Sequence, residues 1–289
     1  FSLGTKTPYN FTKRKRLNPP KNCQIISIEA VIRHGSRYMT KKALFEKLKE
    51  NFSNQAALNS DGKEIFKKIK DFEKIQKYDH LTAQGKNELT RLALRFANNY
   101  KTFLLKNPKI LFFSTEKKRT KESLFYFKKK LTSLYPNIKS QNLSSDQNKK
   151  LERTLHFYKH YKKYINYKKG KPNNLEIARF TKKNNFQNML CNFKSRFFKP
   201  NYKSIEKPQQ TLTLVESLYK LCQIEHNINK KNKNKAFCEV FTGSTTNILA
   251  TKENGLWRVN SHMMGETIPK ESSSVFLGDT YPLFSIEEK

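Results

Sequence analysis

The sequence predicts an α/β fold: a three-layer core with a mainly parallel sheet flanked by helices, plus an inserted helical cap lobe. Two patterns indicate this class. Short apolar runs of strand length alternate with stretches in which apolar residues recur every three or four positions, as expected for strands alternating with helices. Between about residues 141 and 205 the chain becomes rich in Lys, Asn and aromatic residues and has no strand-like run, which indicates the inserted lobe.

The first half of the chain supplies most of the predicted core. Residues 1–21 are basic, contain prolines and lack periodicity, so we expect an extended N-terminal arm. The β-branched run 24–32 predicts a strand, and helical periodicity follows around Ala43–Lys49. A second helix should begin at 81–85. The apolar run 110–113 predicts a second strand, with a further helix after it.

The second half returns to the core after the lobe. We predict one unit, with a core formed by about 22–140 and 206–289 and a cap of about 141–205. Apolar spacing predicts a helix over Thr211–Glu225, and the run 236–241 predicts a third strand. Each predicted strand is followed by a turn and a helix, the arrangement in which open α/β sheets place their sites at the carboxyl ends of strands.

Charge restricts the classes of partner. The 289 residues carry 58 Lys and Arg against 24 Asp and Glu, a formal net charge of +34. Such a chain attracts polyanions. The basic residues are nevertheless spread along the sequence, without zinc-finger spacing or an RNA-recognition motif, so we expect nonspecific polyanion adhesion and no specific nucleic-acid recognition. No apolar run is long enough to span a membrane. We expect a monomer without metal or cofactor.

The cysteines and glycosylation sequons indicate a secreted protein. None of the four cysteines forms a CxxC pair, which disfavours zinc binding and thioredoxin-like chemistry. Three Asn-x-Ser/Thr sequons begin at Asn10, Asn51 and Asn142. Because the chain has no signal peptide of its own, it is either cytosolic or already processed, and Phe1 fits a processed form. Of the three possible sets of two disulfides, we favour Cys191–Cys222 with Cys23–Cys238.

Charged residues follow two of the predicted strands and suggest an anion pocket. The sequence Arg33-His34-Gly35-Ser36-Arg37 comes directly after the first strand, and Arg119 follows the second. Guanidinium groups match phosphate and carboxylate through paired hydrogen bonds. Three such cations around an imidazole predict an anion site, and phosphoryl transfer to the imidazole nitrogen is the natural reaction.

These residues resemble a known motif. Arg33 to Arg37 are similar to the RHGxRxP motif of the histidine acid phosphatases, branch 2 of the histidine phosphatase superfamily. Three further segments match in order: 79–85 resemble G-x-L-T-x-x-G, 114–120 resemble S-T-D-x-x-R-T, and 268–272 resemble P-P-x-A-S. The resemblance implies a helical cap over the pocket, His34 as nucleophile, and phosphate held by Arg33, Arg37 and Arg119.

The sequence departs from that family at the group that protonates the leaving alcohol. The family's GHD motif matches Thr242–Thr246, where Gly243 holds the His position and Ser244 the Asp position; Met39 also replaces a proline. Neither Gly nor Ser can act as a general acid, whose contribution is worth about 10²–10⁴ in rate. We therefore expect no efficient phosphatase activity, with His34 a vestigial nucleophile.

A pocket without turnover suggests a scavenger. The pattern resembles the acid-phosphatase-like proteins of flea saliva, which lack catalytic residues and sequester biogenic amines, such as serotonin and catecholamines, and leukotrienes. It implies secretion, in saliva if the resemblance holds. A leukotriene carboxylate would suit the arginines, whereas an amine needs a carboxylate and an aromatic wall. Candidate groups for the amine are Tyr38, Glu116 and Tyr158. The alternatives are a weakly active phosphomonoesterase acting through His34 and a basic protein that binds heparin-like polyanions.

Overall fold

The computed structural model describes a defined part of the chain. The described residues are 22–141, 143–156, 159–160, 162, 165–166, 186–200, 208–228, 236–241 and 249. The predicted arm 1–21, the sequons at Asn10 and Asn142 and the segment 268–272 lie outside them. Two compact units divide the chain. The helical unit comprises 38–80 and the described residues of 158–273; the sheet unit comprises 22–37 and the described residues of 81–157.

Helices dominate both units. In chain order the elements are α1 (Ala43–Asn51), α2 (Ser60–Lys74), α3 (Ala83–Asn99), α4 (Lys101–Leu104), β1 (Lys109–Leu111), α5 (Lys118–Leu134), β2 (Lys139–Gln141), α6 (Ser145–Leu155), α7 (Phe186–Phe197) and α8 (Pro208–Ile228). A 3-10 turn at Gln55–Ala57 joins α1 to α2. No helix within the described residues combines the length and apolar character needed to cross a membrane.

The helical unit packs α1, α2, α7 and α8 around an aromatic core. Buried residues recur every three or four positions, as with Phe45 and Leu48 of α1 and Ile65 and Ile69 of α2, so each helix presents one apolar face. The ring of Phe52, just beyond α1, is fully buried. It contacts the rings of Phe66, Phe197 and Phe198 with centroids 5.4–6.4 Å apart. These contacts fix the ends of α1 and α7 to the same core.

The sheet unit is built on a strand–helix–strand connection. Strands β1 and β2 run parallel, with Lys109 opposite Lys139 and Leu111 opposite Gln141, and α5 joins them. Parallel neighbours require such a crossover. The long helices α3 and α5 pack along each other and bury Leu89, Ala93, Ala97, Phe127 and Leu131 between them. This helix pair is the scaffold of the site described below.

The periodicity-based predictions are confirmed for the helices. α1, α3, α5 and α8 all form where apolar spacing indicated them, and β1 overlaps the first two residues of the predicted run 110–113. Strand β2 was not predicted, because Lys139–Gln141 is polar and exposed. Helices α6 and α7 lie in the predicted lobe, α6 in the sheet unit and α7 in the helical unit. The boundaries of that lobe stay a prediction.

Two predicted strands are wrong. Residues 24–32 form no strand, and Ile26 and Val31 are 85% and 50% exposed, so the run is neither paired nor buried among the described residues. Residues 236–241 form turns. Their backbone is held by α8, where the carboxylate of Glu225 accepts a hydrogen bond from Phe237 N at 2.9 Å. β-branched and aromatic runs therefore indicated strands at positions where the described residues provide no partner strand.

The predicted disulfide pairing is also wrong. Cys222 bonds to Cys238 across sixteen residues, with their Cα atoms 4.6 Å apart. Both are buried where the 236–241 segment returns to α8. Cys23 and Cys191 are exposed free thiols. Residues close in sequence are joined because the chain turns back on the same helix, which spacing alone could not reveal.

Candidate anion-binding site

The Arg33–Arg37 segment, called the turn below, is irregular chain that bends at Ser36 and lies on the beginning of α3. Arg37 pairs with Leu81 in an isolated antiparallel bridge. The backbone N–H and the hydroxyl of Thr82 both donate to the carbonyl oxygen of Ser36, at 2.9 and 3.1 Å. Thr82 is also the N-cap of α3, because its hydroxyl oxygen accepts from Gly85 N. One residue therefore begins the helix and holds the turn.

Two glycines allow this close approach. A Cβ added to Gly35 would lie 2.5 Å from the carbonyl oxygen of Gly85, and one added to Gly85 would overlap the carbonyl oxygen of Ser36. The obstacles are backbone atoms, which cannot move aside as a flexible side chain would. The glycines of the two motifs are thus explained by direct backbone contact between the turn and the first turn of α3.

Glu88 holds the turn from the α3 side. Its two carboxylate oxygens accept hydrogen bonds from Ser36 N and Ser36 Oγ, both at 2.7 Å, and one of them also accepts from Gln84 Nε2 at 2.7 Å. Bonds to a charged acceptor are stronger than neutral ones. Sequence reasoning missed Glu88, which follows Gly85 by one helical turn and looks like an ordinary polar residue of an amphipathic helix.

Helix α5 holds the same turn from the other side. The hydroxyl of Ser123 accepts from Gly35 N at 3.2 Å and donates to the carbonyl oxygen of Arg119 at 2.7 Å. The carboxylate of Glu122 accepts from Leu81 N at 2.7 Å. Ser123 and Glu122 were not predicted either. Ser123 thereby connects Arg119 to the Arg33–Arg37 segment, and Glu122 connects α5 to Leu81, the residue that pairs with Arg37.

The loop before α5 fixes the start of this helix, whose second residue is Arg119. The hydroxyl of Thr120 contacts the hydroxyl of buried Thr115 at 2.9 Å and donates towards the carbonyl oxygens of Thr115 and Lys117, at 2.8 and 2.7 Å. Short polar side chains commonly close such turns through local hydrogen bonds. The S-T-x-x-x-R-T spacing therefore corresponds to a closed turn directly before Arg119.

His34 is mostly enclosed, and its tautomer follows from one contact. Nδ1 lies 2.9 Å from the carbonyl oxygen of Gly35. Because a carbonyl only accepts, Nδ1 carries the proton and Nε2 of the neutral ring keeps its lone pair. The imidazole thus has its nucleophilic nitrogen at Nε2.

Burial and three positive charges lower the pKa of His34. Burial, the largest cause, together with Arg37, Arg119 and Arg33, lowers this pKa from 6.5 to about 4, although the Gly35 hydrogen bond works in the opposite direction. The imidazole is therefore neutral at pH 7. All three predicted arginines act on the same ring, so the structure brings the predicted cationic group together; Arg37 and Arg119 are half-buried and Arg33 is exposed.

The remaining predicted residues are placed differently. Tyr38 is half-buried and belongs to the helical unit. Glu116 is exposed and paired with Lys121, and it is not among the charges that shift the pKa of His34. Tyr158, Gly243 and Ser244 lie outside the described residues. Within the described part of the chain, no group of His, Cys, Asp or Glu side chains could hold a metal ion.

Comparison with known proteins identifies the class to which this fold and site belong. The model of the histidine phosphatase superfamily (branch 2) matches residues 24–254, so the chain belongs to that superfamily. The predicted family and fold class are thereby confirmed. No curated protein matches the chain.

Solved structures support the same fold. The chain is similar to the multiple inositol polyphosphate phosphatase of Bifidobacterium longum in complex with inositol hexasulfate, with a TM-score of 0.64 and 14% identity over 97% of this chain and 77% of that one. For the phosphate complex of the same enzyme the TM-score is 0.61, with 15% identity over 96% and 75% of the two chains. The likeness to flea saliva proteins stays a prediction.

Proposed function

We propose that this chain captures a small anionic molecule at His34 and that it turns over phosphate esters slowly at best. The observation that carries the proposal is the group of three arginines acting on one mostly enclosed, neutral imidazole. The two half-buried guanidinium groups, on Arg37 and Arg119, have reduced access to water, which strengthens their attraction for a phosphate or a carboxylate. The ligand would be an anionic amphiphile such as a leukotriene, or a phosphorylated mediator.

The same charges disfavour a biogenic amine at this position. A protonated amine would meet three cations. The carboxylate of Glu116, the candidate counter-charge, is 75% exposed and paired with Lys121. The neighbouring carboxylate of Glu88 already accepts three hydrogen bonds. Among the ligands expected of a scavenger, the charges therefore favour leukotrienes over serotonin and catecholamines.

Slow turnover rests on the sequence at 242–246. Thr242-Gly243-Ser244-Thr245-Thr246 contains neither an imidazole nor a carboxyl group, so this segment offers no proton to a leaving alcohol. General acid catalysis is worth about 10²–10⁴ in rate, and its loss leaves binding intact. A stoichiometric binder must be abundant rather than fast. The Cys222–Cys238 disulfide favours an oxidising, extracellular setting for such a role.

A second candidate, an active phosphomonoesterase, is favoured by the state of His34. The neutral imidazole, protonated at Nδ1 by its contact with Gly35, has Nε2 available for attack on phosphorus. The membership of the chain in a phosphatase superfamily supports this alternative as well. Activity would then require a general acid from another part of the chain, and an inositol polyphosphate, the class for which the similar bacterial phosphatase is named, would be a reasonable substrate.

Calorimetric titration separates anion capture from amine capture. Inorganic phosphate, inositol hexakisphosphate, leukotriene C4 and serotonin would be titrated into the wild-type chain, Arg119→Ala and the control Arg91→Ala, which removes an exposed arginine from α3. We expect one-site binding of an anion that Arg119→Ala weakens by about tenfold to a hundredfold, since a charged hydrogen bond is worth about 1.5–3 kcal/mol. Arg91→Ala should bind like the wild type. Saturable serotonin binding without anion binding, or flat traces throughout, would contradict anion capture.

Hydrolysis of inositol hexakisphosphate, whose alkoxide leaving group must be protonated, decides between binder and enzyme. We expect turnover far below the range of about 1–10³ s⁻¹ that is typical of enzymes. Turnover within that range, abolished by His34→Ala in a variant that still folds, would establish the phosphomonoesterase and overturn the scavenger. p-Nitrophenyl phosphate should be assayed in parallel, because p-nitrophenol leaves without protonation, so its release reports attack by His34 alone and does not test for a general acid.

A further inference from the structure

One of the three glycosylation sequons, Asn51-Phe52-Ser53, lies within the described residues, at the end of α1. Asn51 is the last residue of this helix and is half-buried. Given 3.6 residues per turn, its side chain leaves the helix about 90° away from the mean direction of the buried Phe45 and Leu48. Asn51 therefore lies at the border between the buried face of α1 and the solvent.

The side-chain amide of Asn51 has no hydrogen-bond partner among the described residues. The next two asparagines along the chain differ from it. Asn54 Oδ1 accepts a backbone hydrogen bond at 3.2 Å in the 3-10 turn. Asn59 is the N-cap of α2, where its Oδ1 accepts from Gly62 N at 2.9 Å, and its amide also donates to the carbonyl oxygen of Arg196 at 2.9 Å. The sequon thus contains an asparagine whose amide does not support the fold.

The other two residues of the sequon hold the backbone around Asn51 in place. The ring of Phe52 is fully buried in the aromatic core, and its N–H donates to the carbonyl oxygen of Leu48. Ser53 is exposed, and its N–H and hydroxyl both donate to the carbonyl oxygen of Glu50, at 3.2 and 2.8 Å. A group added to the amide of Asn51 would therefore displace none of the hydrogen bonds that end the helix.

We propose that Asn51 carries an N-linked glycan. Its Nδ2 forms a bond to the anomeric carbon of the first sugar and loses a proton, while the bond from that carbon to the pyrophosphate of a lipid-linked oligosaccharide breaks. A glycan is bulky and needs a surface position, which the border of α1 provides. Because the sugar is transferred before the chain folds, the later burial of Phe52 does not obstruct the reaction. The inference rests on the extracellular setting proposed above, which the Cys222–Cys238 disulfide supports.

Site mapping on the full chain, secreted from insect cells behind a cleavable signal peptide, tests the proposal. Peptide N-glycosidase in water enriched in heavy oxygen converts a glycosylated asparagine to a labelled aspartate, which mass spectrometry locates in the tryptic peptide 50–63. We expect the label at residue 51 in the wild type and in Ser53→Thr, and no label in Ser53→Ala. Asn98→Gln, which removes an exposed asparagine outside any sequon, should be labelled like the wild type. A secreted wild type without label at residue 51 would overturn the proposal.

Urea unfolding of the chain produced without glycosylation tests the structural premise. Asn51→Ala should not lower the urea midpoint, because the amide that it removes makes no hydrogen bond with the described residues. Asn59→Ala should lower the midpoint, because it removes the N-cap of α2. Equal losses in the two variants would show that the amide of Asn51 supports the fold, which would contradict the proposal. His34→Ala should be labelled at residue 51 like the wild type, so the failure of anion capture and the failure of glycosylation are observed separately.

Discussion

Acidification should destabilise this protein through His34, and the size of the effect follows from its surroundings. In the folded chain burial and the arginines lower the pKa of His34 to about 4, whereas in the unfolded chain it is expected near 6.5. Between pH values of about 4 and 6.5 the unfolded state binds a proton at His34 and the folded state does not. The free energy of unfolding therefore falls as the pH is lowered through this window.

The magnitude follows from the difference between the two pKa values. Each pKa unit corresponds to about 1.4 kcal/mol, so complete protonation of the unfolded state costs the folded state at most about 3 kcal/mol. The penalty is absent above about pH 6.5 and complete below about pH 4. Glu225 acts in the opposite sense, because burial raises the pKa of its carboxyl and a lower pH relieves that cost.

Urea unfolding of matched variants isolates the contribution of His34. His34→Asn keeps a donor for the carbonyl oxygen of Gly35 and removes the titration, while His160→Asn removes an exposed imidazole as a control. Between about pH 7.5 and about pH 4 the wild type and His160→Asn should lose up to about 3 kcal/mol more than His34→Asn. Equal losses in all three proteins would show that the folded state does not disfavour the charged imidazole, and the account of the site would fail.

Three other changes probe the supports of the site and the fold. Gly85→Ala should lower the free energy of unfolding, measured by urea titration, by about 1–3 kcal/mol, because its Cβ overlaps backbone atoms. Asn87→Ala, on the exposed side of α3, should leave the free energy of unfolding almost unchanged. Glu88→Ala should weaken phosphate binding in calorimetry and cost more stability than Ser36→Ala, since it removes the acceptor of three bonds rather than one; equal effects would contradict this. Cys238→Ser should lower the free energy of unfolding by about 3 kcal/mol, the value expected for a loop of this length, and an unchanged urea midpoint would argue against the disulfide.

The features that could be predicted from the sequence depend on local information. Helices α3 and α8 have apolar residues at three- and four-residue spacing because each packs one face against its neighbours. This spacing is visible in the sequence whichever element packs against that face. The grouping of Arg37 and Arg119 was predicted from their positions after two predicted strands, and the family motifs that contain them gave the same grouping. The first of those strands does not form, so the motifs were the better guide.

The features that could not be predicted depend on contacts between distant residues. Residues 24–32 have strand-forming composition, but a strand also needs a neighbour, and the described chain places none beside them. Glu88 accepts hydrogen bonds from Ser36, which lies fifty-two positions earlier in the sequence, and no local sequence pattern around Glu88 indicates this partner. The Cys222–Cys238 disulfide depends on the return of the chain to α8, a contact that no local sequence pattern indicates.

The proposal of binding without turnover rests on how the candidate anion site is supported. The anion seat is assembled by two helices that pack along each other: α3 contributes the glycine contact and Glu88, and α5 contributes Ser123 and Arg119. These supports are also stabilising contacts of the sheet unit, so their loss costs folding as well as binding. The segment 242–246, which the resemblance matches to the family's general-acid motif, lies outside the described residues. None of the supports listed here comes from that segment, and on this ground we propose that the wild-type chain can hold an anion without cleaving it efficiently.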